Sequence, residues 1–160
     1  MGDPARFREF ATLVSKVLPL DAALIDVAGG RGGLQSALRT IGYQSVVSWD
    51  IRHKYASGRP GYHYGLFNWE TAPRYDALVA MHPDEATDHA ILYASLWRVP
   101  AIICPCCIKP SARPFSGPKL KWLWHIHLET LALRAGLHIK WAQLPIAGDN
   151  RVLVLTPRRY

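Results

Sequence analysis

The segment that most restricts the fold runs from Ala22 to Gly42. Ala22 to Val27 is a short apolar run that ends in Ala28-Gly29-Gly30-Arg31-Gly32-Gly33, after which Leu34, Ala37, Leu38 and Ile41 recur at helical spacing until Gly42. Strand, glycine turn and helix in that order set the carboxyl end of a strand against the start of a helix. Small residues at 28, 30 and 32 let a ligand approach the backbone closely, and a helix start offers N–H groups without intrahelical partners. The bland alternative is a tight connection that binds nothing.

The rest of the chain repeats the alternation. Asp3-Pro4 reads as an N-cap with proline in the first helical position, and Phe7, Phe10, Val14 and Val17 carry that helix to Leu18. Ser45 to Trp49, ending at Asp50, reads as a second strand, with a third over Tyr62 to Phe67, a fourth over Tyr75 to Met81 and a fifth over Ala101 to Cys104. Asp84 to Trp97 and Lys119 to Ala135 read as helices, and Ile108 to Pro118, with three prolines, as loop. His138 to Leu144 and Arg151 to Thr156 pair as a final antiparallel hairpin. The expectation is an α/β fold: one domain over residues 1–160, with an N-terminal helix over 3–18 and a core over 20–156, built on a mostly parallel sheet with that hairpin at its edge. In such sheets ligands bind at the carboxyl ends of the strands, where strand order reverses.

Composition narrows the class. The three cysteines, Cys104, Cys106 and Cys107, are too close together to staple distant parts of the chain, so a reducing, intracellular setting is expected. The apolar runs fall far short of the ~20 residues of a membrane span, and the N-terminus lacks a signal peptide's apolar core. Cytoplasm, nucleus and organelle are not distinguished. A formal net charge of +7 points to an anionic partner.

Asp50 ends the second strand 24 residues after Asp26, where a carboxylate can accept hydrogen bonds from both ribose hydroxyls. Asn68 and Trp69, after the third strand, can offer an amide to an adenine edge and a flat face to its ring. Asp26, Ala28, Gly30 and Gly32, with Gly29 between them, resemble the first motif of the class I S-adenosylmethionine-dependent methyltransferases, alanine replacing the first glycine; Asp50 matches their acidic residue after the second strand. The resemblance covers roughly Leu20 to Thr156. It implies a Rossmann-like methyltransferase fold and S-adenosyl-L-methionine as cofactor, held by Asp26, Ala28, Gly29, Gly30, Gly32, Asp50, Asn68 and Trp69. A nicotinamide-binding domain also shows a glycine turn, but the antiparallel ending and the lack of a second nucleotide-binding half argue against it.

A second cluster, His82-Pro83-Asp84-Glu85-Ala86-Thr87-Asp88, follows the fourth strand. In the family this position faces the methyl group, so His82, Asp84 and Glu85 are candidates to orient an acceptor or remove its proton; the plainer alternative is that the acids complement a helix start. Ala86-Thr87-Asp88 together with Cys106-Cys107 is similar to eukaryotic methyltransferase-like proteins related to tRNA ribose 2'-O-methyltransferases. The histidines that usually follow the cysteine pair are replaced by Ile108 and Lys109. Zinc deaminases combine His-x-Glu with Pro-Cys-x-x-Cys, and the spacings here, His82-x-x-Glu85 and Pro105-Cys106-Cys107, depart from that; no metal site is expected. His125 and His127, two apart on a helix, diverge and cannot easily share a metal.

Arg52, Lys54 and Arg59 in one stretch, and Lys109, Arg113, Lys119 and Lys121 in another, have no acid among them. Their seven charges equal the net charge of the chain, and both stretches follow parallel strands, on the side expected to carry the site. They are candidates to bind a phosphate backbone. The sequence thus points to a methyltransferase acting on RNA. The alternative is a catalytically inactive methyltransferase-like module that binds RNA or helps assemble a ribonucleoprotein; under either, a protein partner subunit is plausible because no separate substrate domain is visible.

Overall fold

The structure is a computed structural model and describes residues 4–56, 60–105, 121–148 and 150–158. Along the chain run α1 (Arg6–Val17), β1 (Leu24–Val27), α2 (Gly33–Ile41), β2 (Val46–Asp50), α3 (His53–Ala56), β3 (Tyr62–Tyr64) and β4 (Ala77–Met81). A 3-10 turn, Asp84–Ala86, leads into α4 (Thr87–Trp97), followed by β5 (Ala101–Cys104), α5 (Lys121–Arg134), β6 (Leu137–Gln143) and β7 (Arg151–Pro157).

The strands form one sheet in the order β3-β2-β1-β4-β5-β7-β6. β1 pairs in parallel with both β2 and β4, so the chain's first strand lies at the centre and the order reverses beside it. β7 is inserted antiparallel between β5 and β6, and β6 therefore points the same way as the five parallel strands. The core strands β1, β4 and β5 are buried at every residue because helices cover both faces, which explains why they read as unbroken apolar runs.

Alternation sorts the side chains. Ala77, Val79 and Met81 of β4 face a core with Phe10 and Val14 of α1 and Leu34 and Leu38 of α2. Leu78 and Ala80 face the other, with Ile91 and Ala94 of α4 and Trp124 and Leu128 of α5. His125 and His127 diverge as expected: His125 Nδ1 lies 3.0 Å from Arg151, whereas His127 Nε2 lies 3.2 Å from Asp88.

Several boundaries differ from the sequence expectation. α1 has Ala5 at its N-cap with no side-chain cap bond, and Asp3 lies outside the described residues. The third strand stops at Tyr64 rather than Phe67, because Phe67 turns inward onto Trp49, with ring centroids 5.9 Å apart. The helix expected from Asp84 becomes α only at Thr87: Asp84 has a φ of 52°, incompatible with helix, and the chain needs one tight turn first. The link between β2 and β3 contains a single helical turn, α3, which no helical spacing in the sequence marks.

Candidate active site

The carboxyl ends of β1, β2 and β4 open onto two adjoining cavities. One, about 670 Å³, lies between the start of α1, the glycine turn and the end of β4, with Arg6, Arg31, Arg52 and His82 on its walls. The other, about 440 Å³, is mostly apolar, with Trp49, Ile51, Leu66, Phe67 and Pro83 around it. Ala28, Arg52 and Asp84 line both, so the two form a continuous cleft across the switch point.

The glycine turn supplies the floor. Ala28, Gly30 and Gly32 take φ values of 60°, 54° and 83°, an alternation of left-handed residues that folds β1 back into α2. Alanine carries a small strain there that glycine does not. Gly29 is needed for a different reason. A Cβ on it would lie 2.7 Å from Asp26 Oδ2 and 2.8 Å from Ser48 Cβ, so only glycine lets the turn settle onto the sheet. Gly32 serves as the N-cap of α2 and lines neither of the two cavities of the cleft.

Asp26 sits beneath this floor, 1% exposed. Burial pushes its carboxyl up to about 7, the Ser48 hydroxyl pulls it back, and the neighbouring Asp50 charge adds to the rise. Asp50, 3% exposed, is in the opposite condition. Burial acts to raise it, but hydrogen bonds from Arg52 and Gly30 and the Arg52 charge outweigh that and hold the carboxyl below its usual range. The Gly30 N–H donates to Oδ2 at 2.7 Å and the Arg52 N–H to Oδ1 at 2.8 Å. The Arg52 guanidinium adds a fork, Nε to Oδ1 at 2.9 Å and Nη2 to Oδ2 at 2.9 Å.

His82 and Asp84 are both in the left-handed region, at 57° and 52°. The His82 backbone N–H donates to the Cys104 carbonyl at 2.9 Å, fixing the main chain of this residue at the edge between β4 and β5. Burial, then the Arg6 charge, lowers its pKa, against a smaller opposing effect of Asp84, so the ring is neutral at neutral pH. Glu85 lies on the apolar side, away from His82. Thr87 and Asp88 are buried in the helix start, with Thr87 Oγ1 donating to the Asp84 carbonyl at 2.8 Å and Asp88 beside His127. Their role is to fasten α4.

The structure thus brings together Asp26, Ala28, Gly29, Gly30, Asp50, Arg52, His82, Asp84 and Glu85. It does not bring Asn68 or Trp69 to the cleft. Asn68 Oδ1 accepts from the Glu70 N–H at 2.9 Å in a local turn, and Trp69 packs against the core; Gly65, Leu66 and Phe67 occupy the place foreseen for them. Arg52 lies over the glycine turn and on the wall of the larger cavity, and Lys54 is exposed on α3. Arg59, Lys109, Arg113, Lys119, Cys106 and Cys107 lie outside the described residues, and of Lys121 only the backbone at the start of α5 is described. Sequence reasoning missed Ile51 and Leu66, which are 61% and 73% exposed. Apolar residues in the turns just after two strands were the available signal. Among the described residues no three His, Cys, Asp or Glu cluster as metal ligands, and no helix is long and apolar enough to cross a membrane.

No protein-family model and no curated protein matches the sequence. Solved structures do share its architecture. Streptomyces venezuelae DesVI superposes over 98% of this chain and 94% of its own, with a TM-score of 0.70 and 12% identity. The ribosomal protein L11 methylase from Lactobacillus delbrueckii subsp. bulgaricus matches 94% of this chain and 78% of its own, at 0.66 and 13%. Human N-acetylserotonin methyltransferase in complex with SAM matches over 95% of this chain but only 52% of its own length, at 0.63 and 12%. At such identities the likeness is one of architecture: this chain has the α/β fold, parallel but for its seventh strand, that occurs in S-adenosylmethionine-dependent methyltransferases.

Proposed function

We propose that this chain is an S-adenosylmethionine-dependent methyltransferase acting on RNA. The observation that carries the reading is the two-chambered cleft at the switch point, apolar on one side, basic on the other and joined over Ala28. Its chemistry fits the cofactor. The slot between Ile51, Leu66, Phe67 and Pro83 suits a purine ring, Asp50 stands at the strand end where ribose hydroxyls would be held, and the side-chain-free backbone at Gly30 leaves room for close approach. Arg6 and Arg31 face the chamber that would take the carboxylate end.

Bound there, the cofactor supplies an electrophilic methyl group. The chain's own part is to desolvate and orient an acceptor in the basic chamber and to accept its proton. His82, neutral and with its main chain tied to β5 through the backbone N–H, is suited to that as a general base. Asp84 sits where the chambers meet and is placed to hold the imidazole or the acceptor. The RNA acceptor rests on the two basic stretches of the sequence, whose seven charges equal the net charge of the chain.

A second reading, a non-catalytic RNA or ribonucleoprotein module with or without a protein partner, is favoured by one observation: the Asp50 carboxylate already accepts four hydrogen bonds, three of them from Arg52. Calorimetric titration with S-adenosylmethionine and its demethylated product separates the two. Saturable binding is expected, weakened about tenfold by Asp50→Ala; this is near the lower end for hydrogen bonds to a charged group, because the substitution also removes the pair that a ribose must displace. No saturable binding at millimolar ligand overturns the enzyme reading. RNA affinity is expected to fall steeply with salt as phosphates are neutralised and counterions released.

A further inference from the structure

Arg52 occupies the place where the two chambers meet. Its guanidinium grips both oxygens of Asp50, and its Nη2 lies 3.6 Å from where a Cβ on Gly30 would be, so it covers the glycine turn as well as the acid. Yet its side chain is half exposed, 51% against 1% for Asp50, and it sits just past the end of β2 with Ile51, Arg52, His53 and Lys54 all exposed. A buried carboxylate is being satisfied by a long, flexible side chain whose other resting place is solvent or the basic chamber it also lines.

We infer that Arg52 is a two-position residue that couples nucleoside binding to binding of a phosphate-bearing acceptor. The inference rests on the cofactor reading above. In the free protein the guanidinium saturates Asp50 and closes the turn. A ribose diol that takes over Asp50 displaces it, and the released guanidinium joins Arg6 and Arg31 around the larger cavity, raising the positive charge there as the site fills. A phosphodiester group is the matching ligand, because a planar guanidinium binds phosphate through the same fork that it now offers a carboxylate. Coupling of this kind is reciprocal: the acceptor, by drawing Arg52 into the basic chamber, uncovers Asp50 and strengthens nucleoside binding by the same factor.

The test is calorimetric, on the full chain, with S-adenosylhomocysteine and a short single-stranded oligoribonucleotide, each alone and in the presence of the other. Wild-type protein should bind S-adenosylhomocysteine about fivefold or more tightly when the oligoribonucleotide is present. Arg52→Ala, and Arg52→Met, which keeps the aliphatic stem, should bind S-adenosylhomocysteine alone more tightly than wild type and lose the mutual effect. Two results overturn the inference while leaving the cofactor reading standing: wild type binding S-adenosylhomocysteine equally with and without oligoribonucleotide, or both variants binding it no better than wild type. Failure of wild type and both variants to bind S-adenosylhomocysteine at all removes the cofactor reading and the coupling together.

Discussion

Asp26 and Ser48 face one another on β1 and β2, and the Ser48 hydroxyl donates to Asp26 Oδ2 at 2.8 Å beneath the glycine turn. This is one hydrogen bond for a fully buried carboxyl whose pKa is raised from 3.8 to about 7. Between those two values the folded protein holds a proton that the unfolded chain has lost, so stability falls as pH rises from about 4 to about 7 and stays lower above that. Asp26→Asn keeps a partner for Ser48 without the charge. The variant should match wild type near pH 4 and exceed it at pH 8, read as a shift in urea midpoint at each pH.

Gly29→Ala tests the packing of the turn. The new methyl would meet Ser48 Cβ at 2.8 Å, and that atom is fixed to the central sheet rather than at the end of a flexible chain. A cost of about 1–3 kcal/mol is expected from overpacking. Chemical denaturation measures it, and a variant as stable as wild type would show that the turn can lift off β2.

His82 should titrate below 6.5, and Arg6 is one of the reasons. Its depressed pKa means that it contributes stability at neutral pH that is lost as pH falls below 6.5, where the unfolded chain takes up the proton first. Removing the charge with Arg6→Ala should move the imidazole titration upward, as seen by NMR. If His82 is the base, the acid limb of methyl transfer should move upward with it.

Tyr93 holds the wall of the apolar chamber from behind. Its hydroxyl donates to the Pro73 carbonyl at 2.8 Å and accepts from the Tyr75 N–H at 2.8 Å, tying α4 to the segment that follows Phe67. Burial pushes the phenol up to about 12, so both bonds persist across the working pH range. Tyr93→Phe strands two backbone groups and should cost about 1–3 kcal/mol, with a weaker grip on any ligand in the slot. Denaturation and ligand titration on the same variant check both.

Strand ends were legible in the sequence because each had a local mark: Asp26 before the glycines, Asp50 after an apolar run, His82 after another. The far wall was not. Phe7 and Arg6 reach the site because α1 packs on α2, with the Phe7 ring in the space that a side chain on Gly33 would need, a contact between elements that no spacing announces. Asn68 lies off the cleft for a local reason. Asn-x-Glu at 68–70 closes its own turn, with Asn68 Oδ1 accepting from the Glu70 N–H, which holds the side chain off the cleft. Arg52 was read as part of a basic stretch, since sequence cannot show that a side chain past a strand end folds back onto the acid that ends it.

β3 closes one edge of the sheet with three residues, half-buried to exposed, paired with β2 alone and reached through the single turn of α3. Gln35, donating to the Val46 and Gly61 carbonyls at 3.1 and 2.9 Å, is the side chain that pins this edge to α2. An edge so thinly held should open without disturbing β1, β4 and β5, and its backbone amides should exchange with deuterium long before theirs. Ile51, Gly65 and Leu66 lie next to that edge, so β3 borders the apolar slot. Slower exchange at Tyr62–Tyr64 would report occupancy of the cleft even for a ligand that is never turned over.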